Sequence, residues 1–160
     1  MLYALLIVLL VVIDQVVKFL VRANIPLGQY VPFIPHVMDL TYWRNTGAAF
    51  SLFSRHTWIL TIVSLVVAVV IAGALVKKVV SHPFGVTALS VVLAGAVGNL
   101  IDRLFFGYVT DMFATTFMNF AIFNVADICV VLGGIATVIY VLFFYEKYEK
   151  KGKCDDAPAA

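Results

Sequence analysis

Residues 84–101 read FGVTALSVVLAGAVGNLI, an uncharged run closed at once by Asp102 and Arg103. At about 1.5 Å of rise per helical residue, a stretch of about 20 such residues crosses a hydrocarbon layer of about 30 Å. Working outward, the uncharged run Thr57 to Val76 precedes it, and Ile128 to Tyr145 follows it. Leu2 to Val21 is apolar except for Asp14, Gln15 and Lys18. It lacks a basic leader and a small-residue cleavage site, so it reads as a retained span. The four spans are expected near residues 2–21, 57–76, 84–103 and 126–145 of a single integral membrane domain, 1–160.

Composition agrees. Of the 160 residues 63% are hydrophobic and 12% charged, far from the roughly quarter-charged make-up of soluble domains. The balance of 11 Lys+Arg against 9 Asp+Glu includes no long basic run, which leaves a nucleic-acid partner without an electrostatic footprint. Cys129, inside an apolar run, and Cys154, in the tail, do not make a disulfide framework. His36, His56 and His82 are dispersed and no H-E-x-x-H occurs, so neither a metal nor another cofactor is expected.

Four spans put both termini on one side. Lys77, Lys78, Lys147, Lys150, Lys151 and Lys153 outnumber Arg22, Arg44, Arg55 and Arg103, which makes the termini cytoplasmic by the positive-inside rule. The four outer arginines then need a reason of their own. Segments 22–56 and 104–125 become extracytoplasmic, and 146–160 a cytoplasmic tail. Pro26, Pro32, Pro35 and Gly28 punctuate the first outer segment, and 37–43 is rich in strand formers, which predicts a small hairpin or partial sheet. The apolar stretch 47–53 suits a short helix in the interface. Segment 104–125 carries Asp111 as its only charge and is expected to rest among headgroups or cover a site. The fold class is thus an all-α membrane protein of four transmembrane helices, with a small extracytoplasmic sheet and a short interfacial helix.

Polar residues in or beside a span are costly and usually face the bundle interior. By helical rise, Asp14, Asp102, Asp111 and Asp127 share one stratum near the outer boundary. Asp14 and Lys18 stand at i, i+4, the spacing of a structural ion pair. Asn99, Asp102 and Arg103 share a face beside the small residues Ala94, Gly95 and Gly98, and a buried structural network suits Asp102 and Arg103. Asn45 is either a turn or cap residue or a substrate contact. Asn124 caps the last span, which on its own would explain Asp127 in the first turn. It would not explain Asp111, a second lone acid at the same depth, which strand alternation places among apolar neighbours. Asp111 and Asp127 are therefore read as a pair sharing one proton. A helix amino end favours charge on Asp127, and apolar surroundings favour the protonated form of Asp111, which makes them base and acid for aspartyl peptide hydrolysis. A proton-coupled transporter would gather acids at the midplane between repeats, and no repeat is visible. A scaffold would have no use for Asp111.

Five blocks in order resemble one family, the bacterial lipoprotein signal peptidases (signal peptidase II): Asp14 to Lys18, Arg44 to Phe50, Gly95 to Arg103, Val109 to Asp111 and Phe123 to Asp127. The Gly-x-Gly-Asp motif of other intramembrane aspartyl proteases is absent. The resemblance implies an endopeptidase of the bacterial cell membrane, monomeric and surrounded by membrane lipids, that cuts lipid-modified prolipoproteins just before the lipidated cysteine on the extracytoplasmic side. It assigns Asp111 and Asp127 to catalysis and Asn45, Asn99, Arg103, Asn124, Asp14 and Lys18 to supporting positions. Ile128 stands where Ser or Thr often follows the second aspartate.

Overall fold

A computed structural model describes residues 1–47, 57–146 and 148. It has four long apolar helices, α1 (Leu2–Asn24), α2 (Thr57–Val76), α3 (Pro83–Phe106) and α4 (Val125–Phe143), and three strands, β1 (Tyr30–Ile34), β2 (Met38–Asn45) and β3 (Val109–Thr115). All four helices have the length and hydropathy of membrane spans. The expected interfacial helix at 47–53 lies outside the described residues apart from Gly47.

α3 is the hub. Over half of its apolar window is buried, against 6% for α2, and it packs against the other three helices. Small residues permit this. A Cβ on Gly95 would strike the backbone carbonyl of Ala126 in α4, and one on Gly98 would stand 2.6 Å from an Asp14 carboxylate oxygen. α1 reverses the pattern of a soluble helix: only Asp14, Lys18 and Val21 are buried, while Leu5, Leu9, Val12, Val16 and Phe19 are exposed. Lipid tails are as apolar as leucine, so helices gain little by hiding apolar side chains and turn their polar ones inward.

Local signals set the helix ends. Pro83 occupies the first turn of α3, and the side chain of His82 accepts from Phe84 N. Gly107, at φ 74°, stops α3 in the left-handed conformation that glycine adopts without penalty. Asn124 and Asp127 form a reciprocal capping box at the start of α4.

The sheet is antiparallel with order β1-β2-β3. Its first two strands are the expected hairpin. The third comes from segment 104–125, where a covering loop was expected. The alternating Val109, Asp111 and Phe113 are a strand signal, but their partner is β2, more than 60 residues earlier, and local pattern does not disclose that pairing. The register sets Trp43 opposite Asp111, Arg44 opposite Thr110 and Asn45 opposite Val109. Beyond β3 the chain folds back on it: Phe113 N donates to Phe123 O at 2.8 Å, and Phe123 N to Phe113 O at 3.2 Å. This return delivers Asn124 and the amino end of α4 to the edge of β3.

Candidate active site

Asp111 reaches the site from the middle of β3, and Asp127 from the first turn of α4. Both line one cavity of about 510 Å³ together with Asn45, Asn99 and Arg103. The rest of its wall is mostly apolar: Phe120 to Phe123 from the return segment, and Ile128, Val130, Val131 and Leu132 from α4.

Each of the four carboxylate oxygens accepts from an amide. For Asp111 the donors are Asn45 Nδ2 at 2.9 Å and Asn124 Nδ2 at 2.6 Å. For Asp127 they are Asn99 Nδ2 at 2.8 Å and the backbone N of Asn124 at 3.2 Å. The amides are themselves fixed. Asn124 Oδ1 accepts from Asp127 N at 2.9 Å, Asn45 Oδ1 from Gly47 N at 2.9 Å, and Asn99 Oδ1 from both Lys18 Nζ at 3.0 Å and Asn124 Nδ2 at 3.2 Å. Asn124 thus binds both acids at once, and so does more than cap a helix.

Among the described residues neither acid has a cation within 4.0 Å. Asp111 is almost wholly buried. Burial first, and then the negative charge of Asp127, pushes its pKa from the ordinary 3.8 up to about 7, against the opposing hydrogen bonds from Asn45 and Asn124. Two amides therefore accompany a carboxyl that the sequence placed among apolar groups alone, and burial still dominates.

A second set of charges lies behind the amides. Lys18 Nζ is 2.9 Å from Asp14 Oδ2 and 3.6 Å from Asp102 Oδ2, all three wholly or almost wholly buried. Arg22 reaches Asp102 at 3.8 Å. Asp14 Oδ1 accepts from Ala126 N at 2.9 Å and Asp102 Oδ2 from Thr110 N at 2.8 Å, so the acids of this network anchor α4 and β3 respectively. Gln15 joins it by donating to Asp14, Asp102 and the Gly98 carbonyl. The shared face expected for Asn99, Asp102 and Arg103 divides. Asn99 turns to the acid pair and Asp102 to Lys18, while Arg103 donates to Ser64 Oγ of α2 at 3.2 Å and keeps a buried Nε without a hydrogen-bond partner among the described residues. Ser64 and Gln15 were missed in the sequence, because an isolated polar residue in a span does not name its partner.

Fold and site together define a multi-pass membrane protein whose bundle carries a pair of amide-bound carboxylates where its helices meet a small sheet. The comparisons with known proteins then specify which. The family described as Signal peptidase (SPase) II matches residues 6–143, and the chain belongs to it. A lipoprotein signal peptidase of Enterococcus faecalis is 47% identical over 151 residues, covering 94% of this chain and 93% of that protein. One from Streptococcus pyogenes is 41% identical over 142 residues, covering 86% and 91%. Two solved structures, each described as a bacterial membrane enzyme determined by the in meso method, superpose with TM-scores of 0.82 and 0.79. Their identities are 29% and 32%, and they cover 99% and 89% of this chain and 93% of each solved chain.

Proposed function

We propose that the chain is an aspartyl endopeptidase that removes signal peptides from diacylglyceryl-modified prolipoproteins, cutting before the lipidated cysteine. Asp111 and Asp127 act directly, and Asn45, Asn99, Asn124 and Arg103 support them. The observation that carries this reading is that both acids line one cavity and are held by amides, with no cation within 4.0 Å among the described residues.

Two neighbouring carboxyls retain one proton between them near neutral pH, titrating as a pair. Asp127, in the first turn of α4, takes a proton from water, and the water oxygen bonds to the scissile carbonyl carbon. Asp111 gives its proton to the carbonyl oxygen. Asp127 then passes its proton to the leaving nitrogen while Asp111 recovers one from the diol, and the C–N bond breaks. Arg103 has a spare Nε–H for a substrate carbonyl. Asp14 and Lys18 hold this frame from behind. The apolar wall of α4 and the return segment takes the signal helix and its lipid, whose anchoring in the bilayer gains roughly 0.8 kcal/mol per buried methylene.

In this reading the protein works as a monomer among membrane lipids, with termini cytoplasmic and the site extracytoplasmic. Labelling from outside should reach a cysteine introduced at Gln29 and miss one at Ser81; the reverse would invert the site. For the activity, purified protein is incubated with a diacylglyceryl-modified prolipoprotein and with its unmodified twin. Cleavage of the modified substrate alone, unchanged by a chelator, is expected. Equal cleavage of both, or loss on chelation, would overturn it.

A further inference from the structure

Arg44, Arg22, Tyr42 and Tyr108 form a second cluster, and none of them lines the acid cavity. Successive strand residues point to opposite faces, so Thr110 and its cross-strand partner Arg44 lie on the face of the sheet away from Asp111. Arg22, in the last turn of α1, donates to Thr110 Oγ1 at 2.9 Å and so meets Arg44 across one residue. Arg44 Nε donates to the Tyr42 hydroxyl at 2.8 Å, and its guanidinium lies 4.9 Å from the Tyr108 ring centroid. Tyr42 and Tyr108 join hydroxyls at 3.0 Å, and Arg22 lies 4.5 Å from the Phe106 ring centroid.

The aromatic rings hold both guanidiniums, and the charge is left over. Arg44 is exposed and has no carboxylate within 4.0 Å among the described residues. Arg22 has only the long contact to Asp102, an acid it shares with Lys18. Arg22 lies in the last turn of α1 and Arg44 packs on Tyr108, just past the end of α3, so both stand at the sheet-side ends of two long apolar helices. Around Arg22 the surface is apolar: Phe19, three residues before it on α1, is 63% exposed, and Phe106, against its guanidinium, is 45% exposed.

We infer that Arg44 and Arg22, steadied by Tyr42, Tyr108 and Phe106, form a binding site for the phosphate of an anionic membrane phospholipid whose acyl chains lie on the surface around Phe19 and Phe106. Guanidinium groups pair with phosphate through parallel N–H donors. A soluble anion would satisfy the arginines but not the apolar surface beneath them. The site is separate from the acid pair, so the inference stands whether or not the proposed peptidase chemistry does.

The test is lipid binding by native mass spectrometry of the purified full chain, titrated with phosphatidylglycerol and with phosphatidylcholine. The wild type should bind its first phosphatidylglycerol more tightly than phosphatidylcholine. Arg44→Gln should weaken that binding about tenfold, the size expected for losing one charge-assisted contact, and Arg44→Lys should restore part of it. Lys78→Gln, on the opposite side, should leave it unchanged. A far-ultraviolet dichroism spectrum matching the wild type shows each variant folded. Equal binding by wild type and Arg44→Gln, no preference over phosphatidylcholine, or displacement by millimolar glycerol 3-phosphate would overturn the lipid site.

Discussion

Four aspartates meet where the helices join the sheet, and their surroundings divide them into two pairs. Asp14 and Asp102 share Lys18, with Arg22 near Asp102; Asp14 Oδ1 accepts from a backbone amide of α4, and Asp102 Oδ2, the oxygen that faces Lys18, from one of β3. Asp111 and Asp127 meet asparagine side chains and one backbone N–H, with no cation within 4.0 Å among the described residues. A buried acid that shares an ammonium group and also accepts from a neighbouring backbone amide is a structural tie between the elements it joins. A buried acid bound by neutral amides keeps its oxygens placed while the proton remains free to come and go. One bundle thus supports itself with one pair and leaves the other available for chemistry. Asn99 joins them, accepting from Lys18 and donating to Asp127.

The largest expected effect breaks the amide-bound pair. Asp111→Asn and Asp127→Asn should each fold and lower cleavage of a lipidated substrate by at least about 10³-fold, and the double variant should be no worse than the weaker single one, because the two act in one step. Retained turnover in either would move the chemistry elsewhere. The same exchange in the cation-bound pair should act on folding. Asp14→Asn leaves a buried lysine short of charge and should cost about 3–5 kcal/mol, seen as a lower thermal midpoint in detergent. Asp111→Asn replaces a carboxyl that holds its proton up to about pH 7 and has no cation within 4.0 Å among the described residues, and it should leave the midpoint at neutral pH unchanged or raised. A midpoint for Asp111→Asn as low as that for Asp14→Asn would erase the distinction between the pairs.

How much of this was legible in the sequence depends on the range of the interaction. The four spans, the i, i+4 pair of Asp14 and Lys18, and the cap at Asn124 follow from patterns within a few residues, and they are observed within about three residues of their expected ends. The hairpin of β1 and β2 was legible for the same reason. The pairing of β3 with β2, the sharing of Asp102 with Lys18 and the hold of Ser64 on Arg103 join residues 39 to 84 or more positions apart, and spacing carries no mark of them. Neither does it show that Asn45 and Asn124 reach the same carboxylate. The expectation that Asp111 is the protonated member rested on apolar surroundings; burial with Asp127 nearby supplies that push despite the amides.

A smaller effect separates the pairs by pH. The folded-state pKa of Asp111 is raised from 3.8 to about 7, so the folded protein holds a proton there that the unfolded chain releases earlier. The stability tied to that proton is complete below about pH 4 and is lost as pH rises through about 7. The thermal midpoint of the wild type should decline across this window more steeply than that of Asp111→Asn, and cleavage should fall on an alkaline limb near pH 7. Parallel midpoint curves for the two proteins would show that Asp111 ionises normally.

The smallest effect concerns Asn45, for which a turn or cap role and a substrate contact were both open. Its carbonyl closes a turn on Gly47, as the first reading expects, and its amide donates to Asp111. The amide hydrogen bond favours the ionised form of Asp111. Asn45→Ala should therefore let Asp111 hold its proton to higher pH and move the alkaline limb upward by about one pH unit or less. Loss of the turn alone would lower cleavage at every pH without moving the limb, and Asn45→Ser, which can still close the turn but lacks the amide donor, distinguishes the two. An upward shift in both variants places Asn45 among the groups that set the protonation of the pair. A limb that stays in place in both leaves it a turn residue, and the electrostatic contrast between the two pairs would then rest on Asn99 and Asn124.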